Sequence, residues 1–339
     1  MNLGDLTKSE LKEYILGISQ SAFRAQQIFK WVHQGIEDAD EMTNIPVSLR
    51  EKLREDFEIF LPKVYKKLVS RLDGTVKYLF SLSDGNIIES VVMDYHHGKS
   101  ICISSQVGCR MGCSFCASTL HGLSRNLSPF EIEGQILRAQ KDLGEKISNI
   151  VIMGIGEPLD NYDNILKFFT NVNDEAGLNI GLRHITLSTC GLTDRIKKLA
   201  DENLPINLAI SLHAPNDEVR KTLMSVAKAY SLGNLMAACD YYFEKTHRRI
   251  TFEYALVKGK NATREEAEEL SRLLRGKNCH VNLIPVNPVR ERDNIRTNEK
   301  ETRDFQKILE KNGINATIRR ELGADINASC GQLRNNEIE

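Results

Sequence analysis

The sequence predicts an α/β fold built around a parallel sheet. Three observations carry this. From about residue 100 onward short apolar runs recur at strand length, longer amphipathic stretches separate them, and helix-start residues open many of those stretches. The runs fall at 101–107, 150–153, 184–189, 207–212, 251–256 and 280–285, with a late one at 316–318. Helical length and start signals mark 128–142, 161–173, 217–223 and 263–274. This alternation suits a barrel-like α/β domain, whose strand ends converge on one face, and equally a doubly wound sheet.

Two segments precede that core. Residues 1–60 read as a small helical domain: Thr7 with Glu10 fits a capping box, and Phe23, Ile28, Phe29 and Trp31 recur among polar residues. Residues 61–98 read as a β-meander, because three β-rich runs between 64 and 93 are divided by Asp73-Gly74 and Asp84-Gly85, which favour tight turns. The α/β core is assigned to 99–335.

At 339 residues with 41% hydrophobic and 27% charged side chains, the chain can bury a large core, which excludes disordered and collagen-like classes. The first residues are acidic and lack an apolar core of their own, and no later run reaches membrane-spanning length, so a cytoplasmic protein is expected. Lys plus Arg total 45 against 46 for Asp plus Glu, so a polyanionic partner would have to be met by local positive charge. Eight cysteines in a reducing compartment point to metal binding or catalysis rather than a disulfide framework.

The sharpest motif is Cys109-Arg-Met-Gly-Cys113-Ser-Phe-Cys116, a C-x3-C-x2-C run just after the first strand of the repeating region. Thiolates suit zinc and iron-sulfur clusters, but a structural zinc site closes with four ligands, commonly as two C-x2-C pairs, and no second pair exists here. Three ligands would leave one iron of a 4Fe-4S cluster open to a substrate or cofactor. A zinc site completed by Cys102 or a His, and reduced buried cysteines without metal, are the alternatives.

The cysteine run, placed after a strand at the head of an α/β repeat, resembles the radical S-adenosylmethionine (SAM) superfamily. Further strings resemble its RlmN/Cfr branch of RNA methyltransferases: Ile103-Ser-Ser-Gln-Val-Gly-Cys109, Met153-Gly-Ile-Gly-Glu-Pro158, Ser188-Thr-Cys-Gly191, Ser211-Leu-His213, Asn282-Leu-Ile-Pro-Val-Asn287 and Cys330-Gly-Gln-Leu333. With Phe23-Arg-Ala25 near the start, the resemblance spans nearly the whole chain.

The resemblance implies a partial (β/α)6 barrel. It also implies one 4Fe-4S cluster on Cys109, Cys113 and Cys116, and SAM as methyl donor and radical source. Gly156, Glu157, Ser188, Ser211, Leu212, His213 and Asn287 would hold that cofactor. A glycine such as Gly156 would let the backbone approach it. Cys330 would carry a methyl group as S-methylcysteine, Cys102 would form a transient Cys102–Cys330 disulfide that releases product, and Glu89 would accept the proton leaving the adenine ring carbon. Cys190, Cys239 and Cys279 match no role beyond packing, save that Cys190 lies in a cofactor string.

Strings such as Gly156-Glu-Pro-Leu-Asp-Asn-Tyr162 are more similar to RlmN than to Cfr, which implies methylation at adenine carbon 2 in 23S rRNA and tRNA rather than at carbon 8. The implied partners are these RNAs and an electron donor such as flavodoxin, with no membrane, for a monomeric protein whose helical domain docks RNA. Candidate RNA-facing cations are 63–71, 195–198, 245–249 and Arg319-Arg320. The competing readings are a Cfr-like carbon-8 enzyme, another radical SAM enzyme, or a metal-stabilised RNA-binding protein without catalysis. After Leu223-Met224 the chain reads Ser225-Val-Ala-Lys228 where the family usually has Pro and an apolar residue, a departure expected to alter loop geometry near the substrate.

Overall fold

The computed structural model describes residues 1–96 and 98–334; residue 335, the last one assigned above to the core, lies outside them. Helices α1 (Lys8–Gly17), α2 (Phe23–Val32) and α3 (Val47–Asp56) form the lead unit. The capping box closes α1 as expected: Glu10 N donates to Thr7 Oγ1 at 3.2 Å, and Thr7 N donates to Glu10 Oε2 at 2.9 Å. The core of this unit is continued by the α/β core. Leu11, Ile15, Ile28, Phe29 and Leu53 pack with Phe130 and Leu137 of α4 (Pro129–Leu143), a helix of the α/β core. A buried pair, His33 Nδ1 to Glu133 Oε1 at 2.7 Å, joins α2 to the same helix.

Strands β1 (Lys63–Val69), β2 (Val76–Ser81) and β3 (Ile87–Tyr95) form the antiparallel meander, and β4 (Gly98–Cys102) pairs antiparallel to β3. From β4 the sheet turns parallel through β7 (Ile147–Ile152), β8 (Ile185–Thr189), β9 (Asn207–Ser211), β10 (Ile250–Leu256), β11 (Cys279–Pro285) and β12 (Ala316–Ile318). All ten strands make one sheet, and its parallel members follow chain order without reversal. A doubly wound sheet reverses order at a switch point, so the strand order selects the partial barrel. The edges β1 and β12 stay apart, which leaves the barrel open. Helices α5 (Tyr162–Asn173), α6 (Thr193–Asp201), α7 (Asp217–Leu223), α8 (Leu232–Thr246), α9 (Arg264–Leu274) and α10 (Glu299–Lys311) fill the later crossovers.

The expected continuous strand over 101–107 is divided. After β4 the chain leaves the sheet at Ile103–Ser105 and re-forms as β5 (Gln106–Gly108), paired with β6 (Leu123–Asn126) in a separate ribbon. The cause is a buried amide: Gln135 of α4 accepts from Ser104 N at 2.8 Å and donates to Ser104 O at 2.9 Å, taking the groups a sheet neighbour would have used.

Strands β2 and β3 are buried on both faces, so they read as near-continuous apolar runs. Tyr78, Phe80, Ile88 and Val92 face the main core under α4. Val91 and Met93 face the other way, with Cys102, against Leu322, Ala328 and Leu333 of the C-terminal segment.

The junction of the lead unit with α4 leaves no spare volume at Gly4, where an added Cβ would stand 2.2 Å from the Phe130 ring. Gly4→Ala is expected to lower stability by about 1–3 kcal/mol. In thermal unfolding, Phe130→Leu should relieve much of that cost in the double variant.

Candidate active site

The site is built where the parallel strands end. Cys109 follows β5, and the cysteine loop is anchored from several directions. Cys109 N donates to Gly122 O at 2.9 Å, Ser114 N to Leu223 O at 2.8 Å, and Ala117 N to Gly331 O at 2.8 Å. The last bond ties the cluster loop to the Cys330 turn, and Ser118 Oγ adds a second tie to Leu333 O at 2.7 Å.

Cys109, Cys113 and Cys116 line one cavity of about 150 Å³ together with Gly156, Glu157, Ser188, Ser211, His213, Asn287 and Cys330. Burial pushes Cys109 up to about 12 and Cys113 well above the usual thiol range, and each further thiolate nearby adds to the cost. Such a loop becomes three thiolates only when a metal brings compensating charge. Among the described residues no three His, Cys, Asp or Glu side chains gather about a single-ion position. Three thiols along one wall of a cavity therefore suit a cluster, whose ligands attach to different irons, better than one closed zinc ion.

The strand-end residues form the opposite wall. Glu157, buried, accepts Cys190 N at 2.7 Å through Oε2 and Leu159 N at 3.1 Å through Oε1, while its own N–H donates to Gln106 Oε1 at 2.8 Å. Burial raises its pKa, so an adjacent cation would be favoured there. Gly156 has φ +107, and an added Cβ would lie 2.6 Å from Gln106 Cβ. The protein's own packing therefore already requires a glycine there.

His213 also sits at positive φ, 56°, and its Nδ1 accepts Ala255 N at 2.8 Å. The imidazole is therefore the Nε2–H tautomer, and burial, reinforced by Arg220, keeps it neutral with a pKa of about 3. It offers the cavity a fixed N–H donor. Asn287 donates to Cys330 O at 3.0 Å and accepts Arg296 Nη1 at 2.9 Å. Leu212 differs from its neighbours in the string: its side chain is part of the main core, and only its backbone belongs to the strand end.

Cys330 opens onto the cavity, while Cys102, at the end of β4, lies beneath the same C-terminal segment. Both are free thiols. Burial, with the nearby Cys330 charge, pushes Cys102 up to about 12. Glu89 lies on β3, fully buried, and its Oε2 accepts Arg334 N at 3.1 Å.

Several contributors carried no legible sequence signal. Arg220, fully buried on α7, donates to Cys190 O at 2.7 Å and Leu212 O at 3.2 Å, clamping two strand-end loops. Arg319 lines the cavity, where the Cys330 charge foremost and Glu253 hold it cationic against burial. Ser225 packs on the cysteine loop, donating to Gly112 O at 3.1 Å, so the Ser225–Lys228 departure bears on the loop of the cluster cysteines.

Known proteins resemble this chain in both sequence and fold. Residues 1–59 match the ribosomal RNA large subunit methyltransferase N-terminal domain, and 103–274 match the Radical SAM superfamily. The chain is 56% identical over 338 residues to a probable dual-specificity RNA methyltransferase RlmN of Clostridium novyi (strain NT), spanning 99% of this chain and 98% of that one. A relative of the same description from Lachnospira eligens is 55% identical over 339 residues, spanning 100% of this chain and 97% of that one. The crystal structure of a radical SAM methyltransferase from Sphaerobacter thermophilus superposes with a TM-score of 0.93 at 43% identity, covering 98% of this chain and 99% of that one.

Cys113→Ala is expected to abolish iron-thiolate absorbance after anaerobic reconstitution with little change in far-ultraviolet circular dichroism, whereas Cys239→Ala, in the main core, should leave iron content unchanged. Because the ligating form is the thiolate and these thiols titrate high, iron uptake should release protons and weaken as pH falls, which a reconstitution titration at two pH values reads directly.

Proposed function

The chain belongs to the RlmN family of radical SAM RNA methyltransferases, which use a 4Fe-4S cluster and SAM. From that premise we propose that it methylates carbon 2 of adenine in 23S rRNA and in tRNA, through a methyl group carried on Cys330. One juxtaposition supports this above all. Cys330 lines the cavity that holds the three cluster thiols, while Cys102 and Glu89 stand on the sheet face covered by the segment that carries Cys330.

The donor set fits the two groups. Cys109, Cys113 and Cys116 would hold the cluster. Glu157, Ser188, Ser211, the His213 N–H and Asn287 would grip the amino, carboxylate and ribose groups of SAM, with Gly156 and Leu212 contributing backbone. When bound, these groups supply the radical chemistry. The chain's own residues do the rest: Cys330 presents the carbon unit to the adenine; Glu89 accepts the proton that leaves carbon 2 as the adduct gives up one electron; and Cys102 attacks the Cys330 sulfur, so that the S–C bond breaks, its electron pair passes to the released carbon, which is protonated to methyl, and a disulfide forms. The high thiol pKa keeps Cys102 protonated until that step. A protein that used metal only to staple its fold would need no polar cavity beside the thiols.

The same reading divides the chain into an RNA-docking helical domain at 1–60, a meander at 61–98 and the radical SAM core at 99–335. With it go a flavodoxin-type electron donor, a monomeric state and a cytoplasmic location; no helix among the described residues is long and apolar enough to cross a membrane.

For the RNA surface we favour the edge strand β1. Its Lys63 and Tyr65 are exposed, and its following turn is bound to the segment ahead of Cys330 through Asp325, which accepts Ser70 Oγ at 2.7 Å and Arg71 N at 2.9 Å. Cations elsewhere are engaged as well: Lys198 lies over the Tyr162 ring, Lys245 pairs with Asp201, Arg248 donates to Ile206 O, and on β1 itself Lys67 pairs with Asp142. The target base must leave its stack to reach Cys330.

Mass spectrometry of protein and 23S rRNA fragment after anaerobic turnover tests the function. Methyl on Cys330 with 2-methyladenosine is the expected result. An 8-methyladenosine product would transfer the enzyme to the Cfr side, and an unmethylated Cys330 with unchanged RNA would refute the proposal. Lys63→Ala with Arg71→Ala should weaken RNA binding and make log affinity fall less steeply with log salt, by about 1 in slope for each phosphate that is no longer neutralised.

A further inference from the structure

Lys77 and Glu89 form an ion pair in which each side chain is only 1% exposed, with Nζ 2.8 Å from Oε1. The strand register accounts for the contact: Leu79 stands opposite Glu89 and Val91 opposite Lys77, so the two are diagonal neighbours on one face of β2 and β3. That face is the one covered by the C-terminal segment. Lys77 Nζ also donates to Asn327 O at 3.3 Å, and Glu89 Oε2 accepts Arg334 N at 3.1 Å. The pair is therefore held on both sides of Cys330 in sequence.

A buried ion pair contributes little net stability compared with an apolar pair of the same volume, whereas either charge alone in such a place is strongly disfavoured. Alone in this setting, Glu89 would take up a proton. A protonated carboxyl cannot accept another from a substrate.

We propose that Lys77 is a positioning residue for the methyl transfer: its ammonium keeps Glu89 ionised and held under the Cys330 segment, ready to accept the proton that leaves adenine carbon 2. This rests on the reading of Glu89 as proton acceptor. The balance of the step is simple. The proton passes from the ring carbon to a Glu89 oxygen, the carboxylate becomes neutral, and Lys77 remains protonated throughout. Among the described residues, Glu89 meets the Lys77 ammonium from β2 and the Arg334 N–H from the C-terminal segment, and the Cys102 thiol on β4, which burial keeps protonated, lies under the same segment. The Arg334 guanidinium is turned to Glu291 at 3.0 Å.

The test reads ionisation and reaction separately. Infrared spectra of the protein without cofactors at neutral pH should gain the carbonyl band of a buried carboxylic acid in Lys77→Met. That band should be absent from the wild type and from Lys77→Met/Glu89→Gln. In the reconstituted enzyme, Lys77→Met should methylate Cys330 as the wild type does, which also shows that it folds, yet form methyladenosine about a hundredfold more slowly. Its rate should recover as pH rises and Glu89 re-ionises, and Lys77→Arg should restore the neutral-pH rate. If Lys77→Met does not fold, Lys77→Gln carries the same measurements. Absence of the new band, or a wild-type rate and pH profile in the folded variant, overturns the inference for Lys77 alone. A wild-type rate in Glu89→Gln instead overturns the assignment of Glu89, and the catalytic purpose of Lys77 with it.

Discussion

The site depends on the C-terminal segment being laid across one face of the meander. Leu322, Ala328 and Leu333 bury against Val91, Met93 and Cys102, and this apolar contact sets where Cys330 stands. Polar ties then fix its register: Asp73 accepts Gly323 N at 2.9 Å, Ser118 donates to Leu333 O, and Asn287 donates to Cys330 O. Burial supplies the driving force without direction, and the hydrogen bonds supply direction. The meander is thus more than a connection between the helical unit and the barrel. Lys77, Glu89, Val91 and Met93 form the floor under the segment of the reacting cysteine.

A second requirement is that a wall of polar loops stay ordered at the strand ends. Gln106, fully buried, accepts Glu157 N and donates to Asn126 Oδ1 at 2.8 Å and to Asp160 Oδ2 at 3.0 Å, so it braces the Gly156 turn from beneath. Arg220 does the same for the Cys190 and Leu212 carbonyls. The Gln106 amide meets one backbone N–H and two side-chain oxygens, and the Arg220 fork meets strand-end carbonyls, which is why these polar residues are tolerated at nearly zero exposure.

Charge at the site is arranged by depth. The cluster thiols and Cys102 are held protonated by burial, His213 is held neutral with one donor outward, and Arg319 is held cationic by the thiol and carboxylate around it. The resting protein thereby avoids accumulating buried negative charge until metal or reaction demands it. Lys77 and Glu89 set an ammonium and a carboxylate together in a dry place, and the pair lies beside the one step that calls for a base.

The sequence by itself determined the parts that depend on local order along the chain. The cysteine spacing, the strand-ending strings, the Thr7 cap and the alternation of runs are properties of contiguous residues, so they were legible without coordinates. Tertiary structure decided what depends on which distant residues meet. It chose the open barrel over the doubly wound sheet by strand order, broke the 101–107 run at Ser104 because Gln135 of α4 reaches it, and drew Arg319 into the cavity. It also set Ser225 on the cysteine loop and assigned Gly156 its need through Gln106. No motif or spacing in the sequence marks Lys77; its burial beside Glu89 follows from pairing between strands and from a segment some 250 residues away in sequence. Such pairings leave no periodicity in either stretch, because the partner that gives each residue its meaning is supplied only by folding.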